Sequence, residues 1–117
     1  MPTIRDLVAA IRQRDGVEAA VVLGRDGLLI DGQAGGSLSA EDVAALIPSI
    51  INAADELGTA ANRGPVVTAV LEHANGHAIV SVLSDDAVLL VLVRPNAEIG
   101  TLLYELRRNR GHIATLV

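Results

Sequence analysis

His73 and His77 are the pair in this chain whose type and spacing best suit a metal ion, and the turn between them decides whether they can share one. A three-residue loop of Ala74, Asn75 and Gly76 would set both on one face of a hairpin. A two-residue loop would send them to opposite faces, because strand side chains alternate. Even the favourable case supplies two ligands with no third nearby, short of the three or four protein ligands of a zinc site, so the pair reads as exposed hairpin-tip histidines. His112 has no identifiable partner. The adjacent carboxylates Asp55-Glu56 and Asp85-Asp86 suit acid/base work no better. Neighbours on a helix point about 100° apart, and the second pair falls in a turn, so both read as solvated faces and caps rather than two acids converging on a substrate. Ser37, Ser39, Ser49, Ser81 and Ser84 lack a nucleophile-elbow context. Gly24, Gly27, Gly32, Gly35 and Gly36 resemble a phosphate-binding loop only in glycine content: no Gly-Lys-Ser/Thr follows, and the chain has no lysine to reach a phosphate. Arg107, Arg108 and Arg110 read first as cations complementing the negative end of a helix, with a phosphate or an acidic partner as the other reading. The expectation is a protein without catalytic residues, cofactor or metal.

Composition narrows the class further. A chain of 117 residues, half of them apolar, has the size of one domain with one core. No apolar run approaches the roughly 18 residues of a membrane span, and the charged opening MPTIRDLVAAIRQRDG lacks the apolar centre of a secretory signal. A cytoplasmic location is therefore expected. The absence of Cys excludes disulfides and thiolate chemistry. A net charge of -5 opposes general attraction to nucleic acid or to an anionic membrane, and Tyr104 as the single aromatic offers no platform for stacking bases.

The elements that position these residues follow from periodicity. Ile4, Leu7, Val8 and Ile11 recur at helical spacing behind a Thr3/Asp6 cap, predicting a helix over about 3–14. GVEAAVVLGRDGLLIDG reads as strand, tight Asp26-Gly27 turn and strand, over about 17–24 and 28–33. Past the glycine linker 33–38, Ser39 with Asp42 caps a long second helix carrying Val43, Leu46, Ile47, Ile50, Ile51, Ala54 and Leu57 as one apolar stripe. Pro48 inside it predicts a kink near 44–48. Three apolar segments then follow between Gly64 and Arg94, parted only by Asn75-Gly76 and Asp85-Asp86. One-sided antiparallel strands alternate apolar and polar residues, whereas these are nearly continuous, so the meander must be covered on both faces. Ile99, Leu102, Leu103 and Leu106 predict a last helix over about 97–109, leaving HIATLV as a short apolar tail.

Surface logic supplies the functional expectation. If the third strand is a sheet edge, residues 66–72 present unpaired backbone groups beside aliphatic side chains, with no Lys, no internal Pro and only Glu72 and His73 at one end to discourage association. Pairing with the same strand of a second copy satisfies those groups symmetrically. The predicted dimer surface is Val66, Val67, Thr68, Ala69, Val70 and Leu71, together with the small second-helix residues Ala53, Ala54, Ala60 and Ala61. The competing reading places those alanines against the monomer's own sheet.

The hairpin VVLGRDGLLIDG, the long helix after a loose glycine linker, the meander NGHAIVSVLSDDAVLLVLV and the closing NAEIGTLLYELRRNRG together resemble the roadblock, or dynein light chain, domain family, over essentially the whole chain. That resemblance implies an α+β sandwich: a five-stranded antiparallel sheet ordered 2-1-5-4-3, with the second helix on one face and the first and third on the other. It also implies homodimers or heterodimers that regulate or scaffold small Ras-like GTPases or attach cargo to motors. DDAVLLVLVRPNAEIG looks most like the bacterial branch, where the gliding-motility protein B type stimulates its GTPase without an arginine finger. Carried over, this makes Glu41, Ala45, Asn52, Asp55, Glu56 and Thr59, on the polar side of the second helix, the expected GTPase contacts. A structural platform that holds a signalling protein without touching a GTPase is the alternative, and a small-molecule sensor a third.

Overall fold

The Asp6 backbone N–H donates to the Thr3 hydroxyl and the Thr3 N–H donates to the Asp6 carboxylate, at 3.2 and 3.0 Å, closing the predicted capping box. In the computed structural model, which describes residues 2–117, this cap opens α1 (Ile4–Arg12). There follow β1 (Val17–Gly24), β2 (Leu29–Ala34), α2 (Ala40–Ala60), β3 (Thr68–His73), β4 (Gly76–Val82), β5 (Ala87–Val93) and α3 (Gly100–Ala114). The strands form one antiparallel sheet ordered β2-β1-β5-β4-β3, as the resemblance implied.

The sheet is covered on both faces. Leu89 and Leu90, neighbours on β5, point to opposite sides and are both essentially inaccessible to water. Leu89 joins Val8, Ala20, Ile79, Leu102, Leu106 and Ile113 under α1 and α3. Leu90 joins Val21, Leu23, Ala44, Ile47, Ile51 and Val80 under α2. Two cores sharing one sheet explain why β5 reads as an unbroken aliphatic run and β1 and β4 as nearly continuous ones. β3 is different: it is half-covered at best, because α2 lies over the β1-β2 side of the sheet and β3 is the strand farthest from it.

Several expected boundaries move, each for a physical reason. The β1-β2 turn is not a two-residue Asp26-Gly27 connection. Gly27 donates to the Gly24 carbonyl and Gly24 to that of Leu28, both at 2.9 Å. This makes a three-residue loop, Arg25-Asp26-Gly27, whose last residue takes a φ of 90° that glycine tolerates. β3 begins at Thr68 rather than residue 66, because Val67 lies in a bend and Val66 packs toward the α2 core. The last helix runs to Ala114 rather than 109: Ile113 is drawn into the α1/α3 core, which carries the helix through Gly111. Arg107, Arg108 and Arg110 therefore sit mid-helix, and His112 is the basic residue of the last turn. α2 is continuous through Pro48, which packs against Gly27 in the β1-β2 turn.

Leu89→Ala and Leu90→Ala should each lower the unfolding free energy by about 2–5 kcal/mol in denaturant titrations, the range for truncating a leucine in a closed core. A loss below about 0.5 kcal/mol, typical of surface positions, for either would mean that its face of the sheet is not sealed.

Candidate interaction surface

α2 ends in a backbone turn that fixes where β3 begins. Asn62 adopts a φ of 57°, its N–H donates to the Thr59 carbonyl, and the Arg63 N–H donates back to that of Gly58 at 2.7 Å. These two bonds make a Schellman motif, with Asn in the left-handed position usually held by Gly. The chain then folds back so closely that a Cβ at Gly58 would overlap the Gly64 carbonyl. Asp55 secures the return. One carboxylate oxygen accepts from the Val66 N–H at 2.8 Å and the other from the Arg25 guanidinium at 3.1 Å. Asp55 is thus a structural tie between α2, the β1-β2 turn and the approach to β3, and the reading of Asp55-Glu56 as two solvated acids holds only for Glu56, which is exposed.

β3 itself leaves half of its backbone open. The Val82 N–H donates to the Val67 carbonyl, and β3 pairs with β4 in the register Thr68↔Ser81 to His73↔Gly76. Hydrogen-bonded pairs alternate along an antiparallel ladder. Val67, Ala69, Leu71 and His73 therefore bond inward to β4, while the N–H and C=O groups of Thr68, Val70 and Glu72 face outward at the edge. Val67 and Val70 are 47% and 40% exposed beside them.

An open groove of about 660 Å³ lies at the start of this edge, floored by the lead-in Gly64 to Val67 and by Thr68 and Ala69 of β3, and walled by Ala54, Leu57 and Ala61 of the α2 end and by Arg107 and Arg110 of α3. The small residues do not pack under the monomer's own sheet: Ala53, Ala60 and Ala61 are exposed and Ala54 is half-buried. Leu57 and Leu46 are 69% and 66% exposed. The apolar stripe read from the sequence is wider than the sheet it covers, and its excess lies on the flank toward β3. Arg110 reaches across the groove to the Thr68 hydroxyl at 3.3 Å, so it serves the edge strand rather than the helix end. Leu57, Arg107 and Arg110 are not legible from the sequence as surface residues of one site, because only the third dimension brings α3 beside β3.

The opposite flank of α2 is polar. Glu41, Ala45, Asn52, Glu56 and Thr59 are all exposed, and their helical spacing places them with Asp55 on the side toward Gly27, against which Ala45 packs. The two expected contact sets thus occupy different flanks of one helix. The histidines part company as well. The β3-β4 loop is the two-residue Ala74-Asn75, so His73 and His77 face opposite sides of the sheet, and His77 lies 3.8 Å from Glu72 instead. Among the described residues, no three or more His, Asp or Glu side chains gather where they could hold a metal, and no helix is long and apolar enough to cross a membrane.

Residues 3–93 match the family model of the Roadblock/LC7 domain. The chain belongs to the Roadblock/LC7 family. An uncharacterised protein of Methanocaldococcus jannaschii is 26% identical over 106 residues, covering 91% of this chain and 92% of that one. The crystal structure of a Roadblock/LC7 domain from Streptomyces avermitilis shares the fold at 24% identity with a TM-score of 0.85 over 97% of both chains. MglB of Myxococcus xanthus does so at 12% identity, with a TM-score of 0.86 over 97% of this chain and 93% of that one. At these identities the two solved structures establish the architecture of this roadblock domain and nothing finer.

Gly58→Ala provides a direct check of the α2 return. Replacing a helical glycine with alanine ordinarily stabilises by up to about 1 kcal/mol. Here the sign should reverse, with a lower melting temperature, because the new methyl meets the Gly64 carbonyl. A stabilised variant would show that the return segment is not held against the helix.

Proposed function

We propose that this roadblock domain is a non-catalytic homodimer that regulates or scaffolds a bacterial Ras-like small GTPase in the cytoplasm. The observation that carries the reading is the open β3 edge: three residues with outward backbone groups beside an apolar groove, in a strand with no Lys and no Pro and with Glu72 and His73 only at its far end. A second copy meets that demand with the same surface, so the contact is self-complementary. Val66 to Leu71 would then line the joint with Ala53, Ala54, Ala60 and Ala61, and the surplus apolar flank of α2 would be covered rather than left in water.

Self-association would leave the polar flank free for the GTPase. Glu41, Asp42 and Glu56 make α2 acidic, and the helix contains no basic residue. A partner surface rich in Lys or Arg would be steered toward it. Glu41, Ala45, Asn52, Glu56 and Thr59 would supply the contact, while Asp55 holds the helix and the β1-β2 turn in place behind them. Membership of the roadblock family, with DDAVLLVLVRPNAEIG resembling its bacterial branch, supports a GTPase as that partner. Stimulation of hydrolysis would come from reshaping the GTPase rather than from a catalytic group of this chain.

Light scattering at micromolar concentration should give twice the subunit mass. A Ras-like small GTPase from the same cell should co-elute with it and turn over GTP at a changed rate. A Glu41→Arg/Glu56→Arg variant should bind it about tenfold more weakly or worse while remaining dimeric. A dimer that neither binds the GTPase nor alters its turnover would leave a structural assembly platform as the function. A well-behaved monomer would remove the basis of the reading.

A further inference from the structure

Resting on the β3-to-β3 contact proposed above, we infer its register and the polar lock that sets it: Val70 lies on the twofold axis, and Arg110 of each copy pairs with Glu72 of the other. Two identical antiparallel strands must match residue i with a fixed sum of numbers, so the choice is which residue faces itself. Centring on Val70 sets Thr68 opposite Glu72 of the second copy on either side, and every outward N–H and C=O group of Thr68, Val70 and Glu72 meets one of the three. Centring on Ala69 instead sets Glu72 opposite Val66, whose N–H is already committed to Asp55. Centring on Leu71 sets Thr68 opposite Ala74, which belongs to the hairpin turn. The Asp55 bond and the short β3-β4 turn thus eliminate the two neighbouring registers.

Charge complementarity points the same way. Thr68, Val70 and Glu72 share the α3 face of the sheet, since their partners Ser81, Ile79 and His77 alternate onto it. Arg110 reaches Thr68 there, with its Nε buried and unpartnered. Glu72 is 84% exposed, with His77 at 3.8 Å as its one ionic neighbour among the described residues. Directly opposed residues on one face of an antiparallel pair bring their Cβ atoms to about 5 Å. A register centred on Val70 therefore delivers the second copy's Glu72 carboxylate to the end of the groove where Arg110 waits, twice per dimer. On the other face it sets Ala69 against Leu71, apolar on apolar.

Because the chain has no Cys, single-cysteine variants can read the register. Under mild oxidation with copper phenanthroline, Val70→Cys should give a covalent dimer. Facing residues of such a pair lie roughly 5.5 Å apart at Cα, within disulfide range. Ala69→Cys and Leu71→Cys should cross-link poorly. Glu72→Arg and Arg110→Glu should each weaken self-association about tenfold through two like-charge contacts. An equimolar mixture of these two variants should associate as tightly as the natural chain, because every contact in the mixed dimer is again of opposite charge. Cross-linking strongest at 69 or 71, or a mixture no tighter than its components, would overturn the register while leaving the dimer intact. A natural chain that sediments as a monomer would instead overturn the underlying contact.

Discussion

The backbone of an edge strand carries a bonding requirement that no choice of its own side chains can cancel, and much of this molecule is arranged around one such edge. β1, β5 and β4 satisfy their ladders on both sides and bury both faces. β2, at the other border, has α1 and α2 against it. At β3 the outward amides and carbonyls coincide with exposed aliphatic side chains and an open groove, whereas the exposed Ile30 of β2 lies beside the start of α1. Covering that strip from within would require α2 to shift across the sheet, away from the β1-β2 hairpin on which it already packs through Pro48 and Ala45. The covering of one side of the sheet thus leaves the other uncovered.

The sequence carried the layer architecture well because its signals were strong and local. The adjacent pair Leu89-Leu90 shows why: two aliphatic neighbours in a strand demand two cores. The Thr3/Asp6 cap was legible in the same way, since both partners lie within one turn. Boundaries decided by tertiary contacts were not. Nothing local in GHIATLV announces that Ile113 is pulled into the α1/α3 core, nor does RDG say which of two loop lengths the β1 bulge between Val22 and Leu23 will favour. β3 starts later than its aliphatic run suggests, because a carboxylate eleven residues earlier takes the Val66 amide.

The candidate surface was legible in part. An edge strand at 66–72 and small residues on α2 could be read directly, whereas its walls come from α3, some forty residues further along the chain. Arg110 illustrates the difficulty. Three clustered arginines near an expected helix end have a ready explanation in the helix dipole, and only the extra turn of helix and the bond to Thr68 show that one of them belongs to the sheet border.

Asp55 joins parts of the molecule that the topology keeps far apart in the sheet. One of its oxygens holds the tip of the β1-β2 hairpin through Arg25, and the other holds the residue that leads into β3. The hairpin tip borders the acidic flank of α2 and the lead-in borders its apolar flank, so a single carboxylate is the shared fastening of both. The two borders of the sheet are consequently not independent in position. A displacement of Arg25 by anything resting on the hairpin is transmitted, through one side chain, to the strand on which a second molecule would be aligned.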